Sequence, residues 1–208
     1  MKPEETLIAE FRAAAEKVSA IVSEVGSMEE ALAYVVGICE RKEHCQRLMP
    51  GCGAPLSDES ENRRDRQPPK SIAAPLLSDE EHVSLESLCR AGGIALVREN
   101  LRDHAAGIDI GLTMADFGIA ETGTLVIDSS SEDIRLTTMI SELHVAVLPQ
   151  NRIRRSVFEL ENDLAKRMAA APDYTAFITG ASRTADIERV LALGVHGPLE
   201  LHILLLSP

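Results

Sequence analysis

The stretch Ala115-Asp116-Phe117-Gly118-Ile119-Ala120-Glu121-Thr122-Gly123-Thr124-Leu125-Val126-Ile127 sets glycine and small polar residues directly before an apolar run. Two further stretches do the same: Ile178-Thr179-Gly180-Ala181-Ser182-Arg183-Thr184-Ala185-Asp186-Ile187-Glu188 and Gly194-Val195-His196-Gly197-Pro198. Glycines and hydroxyls placed where apolar strands stop are how an α/β fold shapes a pocket for an anion. Between them, Val145-Ala146-Val147-Leu148 reads as a strand buried on both faces, the habit of a parallel sheet.

Working outward, the same alternation continues. Lys70 to Ala74, Ile94 to Val97, Gly123 to Ile127, His144 to Leu148, Tyr174 to Ile178 and Glu200 to Leu206 read as strands. Ser78-Asp79-Glu80-Glu81 is a capping box opening a helix to about Arg90, which Gly92-Gly93 ends. Ser156 caps a helix running to about Ala170. Strands alternating with helices predict a three-layer α/β/α domain with a mostly parallel sheet. At the N-terminus, Leu7, Ile8, Phe11, Ala14, Ala15, Val18, Ile21, Val22 and Val25 recur at helical spacing. Ser27-Met28-Glu29-Glu30 then opens a second helix through about Cys39. Two helices before any strand predict an N-terminal helical element over residues 1–45, ahead of an α/β domain over 46–208. The polar residues 56–70, with Arg63, Arg64 and Arg66, read as a surface loop.

Composition removes several classes of function. The chain has 208 residues, a net charge of -12 and 3% aromatic residues. That charge repels phosphate backbones, and few aromatics remain for base stacking, so no nucleic-acid partner is expected. No apolar run reaches the roughly 18 residues that span a bilayer. The acidic start, Met1-Lys2-Pro3-Glu4-Glu5, lacks a signal-peptide h-region, so the expected location is cytoplasmic. Cys39, His44, Cys45 and Cys52 are spaced as neither a zinc pair nor an iron–sulfur run. They read as free thiols, and no metal site is expected. Dinucleotide, P-loop and zinc-protease motifs are missing from the sequence.

The candidate site residues lie in the three opening stretches. Gly123 permits close backbone approach, and Thr122 and Thr124 flank it with hydroxyls. Glu121 is expected at the mouth of the sheet, as a general base, nucleophilic carboxylate or metal ligand. The competing reading makes this a tight turn with Glu121 in a structural ion pair. Gly180, Ser182, Arg183 and Thr184 follow a strand and are expected to open a helix, where free N–H groups and a guanidinium hold an anion. On the other reading Ser182 or Thr184 is only a cap. His196, between two near glycines, is open enough to act as an acid–base group, or else hydrogen-bonds its own turn. Arg135 offers a second charge for the anion. His144, at the head of an apolar strand, reads as a satisfied structural histidine.

On Ala115 to Ile127, Arg135, His144 to Leu148 and Thr179 to Leu206, the chain resembles the lactate utilisation protein C (LutC) family, built on the LUD domain. The resemblance implies a fold like that of the superfamily holding CoA transferases, ribose-5-phosphate isomerase and glucosamine-6-phosphate deaminase (NagB/RpiA/CoA-transferase-like). It implies a part in oxidising L-lactate to pyruvate, beside partner subunits that carry iron–sulfur clusters. This chain, without their cysteine motifs, is expected to hold no cofactor itself and to bind a small carboxylate or phosphate. An independent CoA or acyl transferase, a sugar-phosphate enzyme, and a non-catalytic metabolite sensor stand as the alternatives on the same fold.

Overall fold

The computed structural model describes residues 3–43, 69–104, 107–169, 174–184, 192–193 and 197–208. Six parallel strands form the main sheet: β1 (Ala20–Val25), β2 (Ser71–Ala73), β3 (Ala95–Val97), β4 (Ile108–Met114), β7 (Ser141–Pro149) and β12 (Glu200–Leu206). Their spatial order is β1-β12-β7-β4-β2-β3. A smaller mixed sheet is built from β5 (Phe117–Ile119), β6 (Thr124–Asp128), β8 (Ile153–Arg154) and β9 (Thr175–Thr179), in the order β8-β5-β6-β9. The fold is therefore α/β, as the alternation predicted, but one flanking layer is itself partly sheet.

One face of the main sheet is covered by α2 (Met28–Arg41) and α3 (Asp79–Ala91). Val35, Cys39, Leu85 and Cys89 pack there on Ile72, Leu112, Val145 and Leu204. The caps are those the sequence signalled. Ser78 Oγ accepts from Glu81 N at 3.3 Å, and the Glu81 carboxylate accepts from Ser78 N at 2.9 Å. At α2 the box is displaced by one residue: Ser27 caps Glu30 N, and the Glu30 carboxylate accepts from Gly26 N.

The other face carries α1 (Pro3–Lys17), the smaller sheet and α4 (Glu132–Ile140). Phe11, Leu125 and Ile127 meet Ala146, Leu148 and Ile203 there. Each such buried Phe, Leu or Ile side chain contributes about 1.5–3 kcal/mol. Outside the smaller sheet, α5 (Glu161–Met168) and the short turn Val157–Leu160 close over Phe117 and Val126.

Two expectations are corrected. The N-terminal helix does not run to Val25. It ends at Lys17, Ser19 turns at φ 66°, and Ala20–Val25 pairs in parallel with β12. The segment Ala-Ile-Val-Ser-Glu-Val is rich in β-branched residues, and its apolar positions satisfy either period. The N-terminal element is thus helix–strand–helix, with its strand on the sheet edge. Residues 185–191, over which the expected helix would run, lie outside the described residues, and Arg183 and Thr184 before them are not helical. They form β10 (Arg183–Thr184), antiparallel to β11 (Ala192–Leu193).

Candidate functional site

Gly118 lies against Leu148 near the end of β7, and Gly123 against Ala14 and Ala15 in the last turns of α1. The β5–β6 hairpin therefore descends from the carboxyl ends of the parallel strands toward their amino ends. Its turn, Ala120 to Gly123, sits at the amino side, not at the carboxyl mouth expected for Glu121. Glu121 is exposed there, its backbone N–H donating to Arg155 O at 3.1 Å. Gly123 has φ 65°, and a Cβ on it would stand 2.3 Å from Ala15 N. The close approach that glycine permits is to helix α1.

The hydroxyls form a chain. Thr122 Oγ1 is 2.7 Å from Thr124 Oγ1, which is 2.8 Å from Thr179 Oγ1. Thr124 stands opposite Thr179 in the β6–β9 ladder, so two of the candidate stretches meet at this point. Gly180 follows at φ 73°, and Ser182 N donates to Pro198 O at 3.0 Å.

Beside this turn opens a cleft of about 410 Å³, lined among others by Thr138, Met139, His144, Phe177, Gly180 and Ser182. Its floor is the amino-terminal part of β7 and β12. The wall from α4 comes close because β4 has glycine beneath it: a Cβ on Gly111 would lie 2.4 Å from Ser141 Oγ and 2.6 Å from Thr137 O. His144 is 1% exposed, with Nε2 2.8 Å from Thr113 Oγ1. Burial pushes its pKa down to about 4, so the ring is neutral near pH 7.

Of the remaining candidates, Arg135 is committed elsewhere. Its guanidinium donates to Ser129 O and Ser130 O and lies 4.8 Å over the Tyr174 ring. That is the end of β9 remote from Gly180. Arg183 and Thr184 are placed by their backbone in β10. His196, His44, Cys45, Cys52 and the basic loop around Arg63 lie outside the described residues. Cys39 and Cys89 are buried, and burial first of all pushes their thiols up to about 12 and about 11. Among the described residues, no three His, Cys, Asp or Glu side chains are grouped to share a metal.

Two charge clusters escaped the sequence reading. Lys42 Nζ reaches Asp109 at 2.7 Å and Glu142 at 3.2 Å, with Lys42 and Asp109 only 10% and 5% exposed. Burial works to lower the Lys42 ammonium, but the bond and charge of Asp109, then of Glu142, outweigh it and raise it above its ordinary value. Lys70 Nζ caps α2 through the carbonyls of Cys39, Glu40 and Lys42 at 2.5–2.9 Å. The second cluster surrounds Phe117, with the guanidiniums of Arg152, Arg154 and Arg167 at 5.7, 5.7 and 6.0 Å from its ring centre. Arg167 also pairs with Asp116 at 2.9 Å. Neither cluster is spaced in the sequence in a way that signals contact.

Comparison with known proteins places these features in a family context. The LUD domain matches residues 8–206. Lactate utilization protein C of Halalkalibacterium halodurans is 34% identical over 104 residues, covering 49% of this chain and 45% of the relative. The protein of the same name from Bacillus subtilis is 30% identical over 112 residues, 52% of this chain and 46% of the relative. An uncharacterized protein of Neisseria meningitidis is 30% identical over 144 residues, 67% of this chain and 62% of that protein. The chain thus spans about half the length of the lactate utilization relatives it matches. In fold it resembles the crystal structure of a DUF162 family protein from Deinococcus radiodurans, with TM-score 0.59, 14% identity and 99% of both chains covered.

Proposed function

The chain belongs to the LUD domain family, and from that premise we propose that it acts in lactate utilisation, as a subunit that binds a small carboxylate and carries no cluster itself. The observation that carries this reading is the family match over residues 8–206, joined by distant likeness to lactate utilization protein C. Partner subunits with iron–sulfur clusters would move the electrons. The cleft beside Gly180 and Ser182 would seat the acid, with Arg183, next in the chain, as anchor for its carboxylate. The parallel sheet between a helical layer and a mixed layer supports a fold of the CoA-transferase and sugar-phosphate-isomerase kind. No helix among the described residues is long and apolar enough to cross a membrane.

The test is anaerobic purification of the tagged chain from lactate-grown cells of its own source. Co-elution of iron–sulfur subunits, with lactate-dependent dye reduction that fails when the chain is omitted from reconstitution, is the expected result. A reconstituted complex indifferent to the chain would defeat the proposal. Turnover of a CoA thioester or phosphosugar by the lone chain would replace it with an independent enzyme.

A further inference from the structure

Among the described residues, His144 has one ring nitrogen committed and one not. Nε2 is bonded to Thr113 Oγ1 at 2.8 Å on the neighbouring strand. Nδ1 has no hydrogen-bond partner among the described residues, yet it is not sealed in the core, where the unpartnered buried side-chain atom is Ser141 Oγ. The open space that His144 meets is the cleft. A nine-tenths-buried polar group that faces a cavity unpaired costs stability unless something occupies its hydrogen bond.

The rest of the wall narrows the chemistry. Among the described lining residues there are hydroxyls (Thr138, Thr179, Ser182) and apolar groups, and no charged side chain. A neutral imidazole adds none. Such a wall does not neutralise a carboxylate, but it suits an uncharged oxygen carried beside one. The Thr113 hydroxyl can rotate to either role. When it donates to Nε2, Nδ1 carries the proton and donates into the cleft. When it accepts from Nε2–H, Nδ1 presents a lone pair.

We infer that His144 is a binding residue of this cleft, hydrogen-bonding through Nδ1 to the hydroxyl or carbonyl oxygen at C2 of a small carboxylic acid, with Thr113 as its positioning residue. The inference rests on the cleft being the small-carboxylate site proposed above. It explains how one site accepts both a 2-hydroxy and a 2-oxo acid: the ring changes tautomer, with no change of charge.

The full chain is titrated with L-lactate, pyruvate and propionate, followed by calorimetry and by the nitrogen-15 signals of His144. L-lactate or pyruvate is expected to bind about tenfold more tightly than propionate, the worth of one hydrogen bond. Nδ1 should shift with the two oxygenated acids and stay still with propionate. His144→Gln keeps an amide where Nε2 meets Thr113 and removes the Nδ1 group. It should bind propionate as before and lose the tenfold preference. His144→Asn keeps an amide on the Nδ1 side and should retain most of it. Thr113→Val should change the tautomer signals of the free protein, which a purely packing role would leave alone. A preference that survives His144→Gln, or an Nδ1 signal unmoved by saturating L-lactate and pyruvate, overturns the inference while leaving the cleft as a carboxylate site. Should none of the three acids bind the unsubstituted chain, the cleft reading falls and this inference with it.

Discussion

Replacing Gly123 with alanine separates two explanations of that glycine, room for a ligand and room for helix α1. The residue holds φ 65°, and its missing Cβ would lie 2.3 Å from Ala15 N, 2.5 Å from Ala15 Cα and 2.6 Å from Ala14 C. Left-handed backbone costs an alanine about 1–2 kcal/mol. The contacts are with backbone, which cannot swing aside, so the turn or the helix must move, at about 1–3 kcal/mol for an overpacked site. The sum is about 2–5 kcal/mol. With a urea slope of about 2 kcal/mol/M the unfolding midpoint falls by roughly 1–2.5 M. The assay is urea unfolding followed by circular dichroism, with the exposed Glu121→Gln as control, expected within about 0.5 kcal/mol of the unsubstituted protein. A Gly123→Ala protein equally close to the unsubstituted one would refute the packing argument and return Gly123 to the ligand.

Four further outcomes follow from buried groups. Asp109→Ala strips the main counter-charge from Lys42 and should cost about 3 kcal/mol or more, part of it recovered in the double variant with Lys42→Met, as read from urea midpoints. Because the Lys42 pKa is raised in the folded state, its contribution is complete below 10.5 and is lost as pH climbs through the raised value, so the stability gap to Lys42→Met should shrink in strongly alkaline urea titrations. His144 has the opposite sense: its folded pKa of about 4 lies below the ordinary 6.5, so the unfolded chain takes up the proton first and stability falls as pH drops between those values. The loss is at most roughly 3 kcal/mol, and His144→Gln should abolish that slope. Finally, with Cys45 and Cys52 replaced by serine, the native protein should give no thiol reaction at pH 8, and both Cys39 and Cys89 should react on unfolding, since burial holds both thiols protonated.

The strands that read plainly from the sequence are those with unbroken apolar runs, such as Val145 to Leu148. Strand β4 escaped that reading because Asp109, Gly111 and Thr113 interrupt its hydrophobic residues. Each interruption answers a tertiary demand: Asp109 receives Ser71 N at 2.9 Å and Lys42, Gly111 makes way for α4, and Thr113 holds His144. Helix and strand were confused at Ala20–Val25 because six residues with apolar ends fit both periods, and only the edge of β12 decides between them. In the site, the demand for glycine at position 123 was legible but its object was not, since α1 lies about a hundred positions earlier in the chain. His144 was legible as a bonded histidine; that its bond goes to Thr113 on β4 and that it lines the cleft beside β9 were not, since both depend on strands distant in sequence.

Lys70 reaches back to the carbonyls of Cys39, Glu40 and Lys42, and Lys42 is itself anchored to Asp109. The end of α2 is therefore tied to the head of β2 by Lys70 and to β4 by Lys42. The two ammonium groups thereby act as one clasp: cutting either bond set frees the carboxyl end of α2 from one of the two strands it is fastened to.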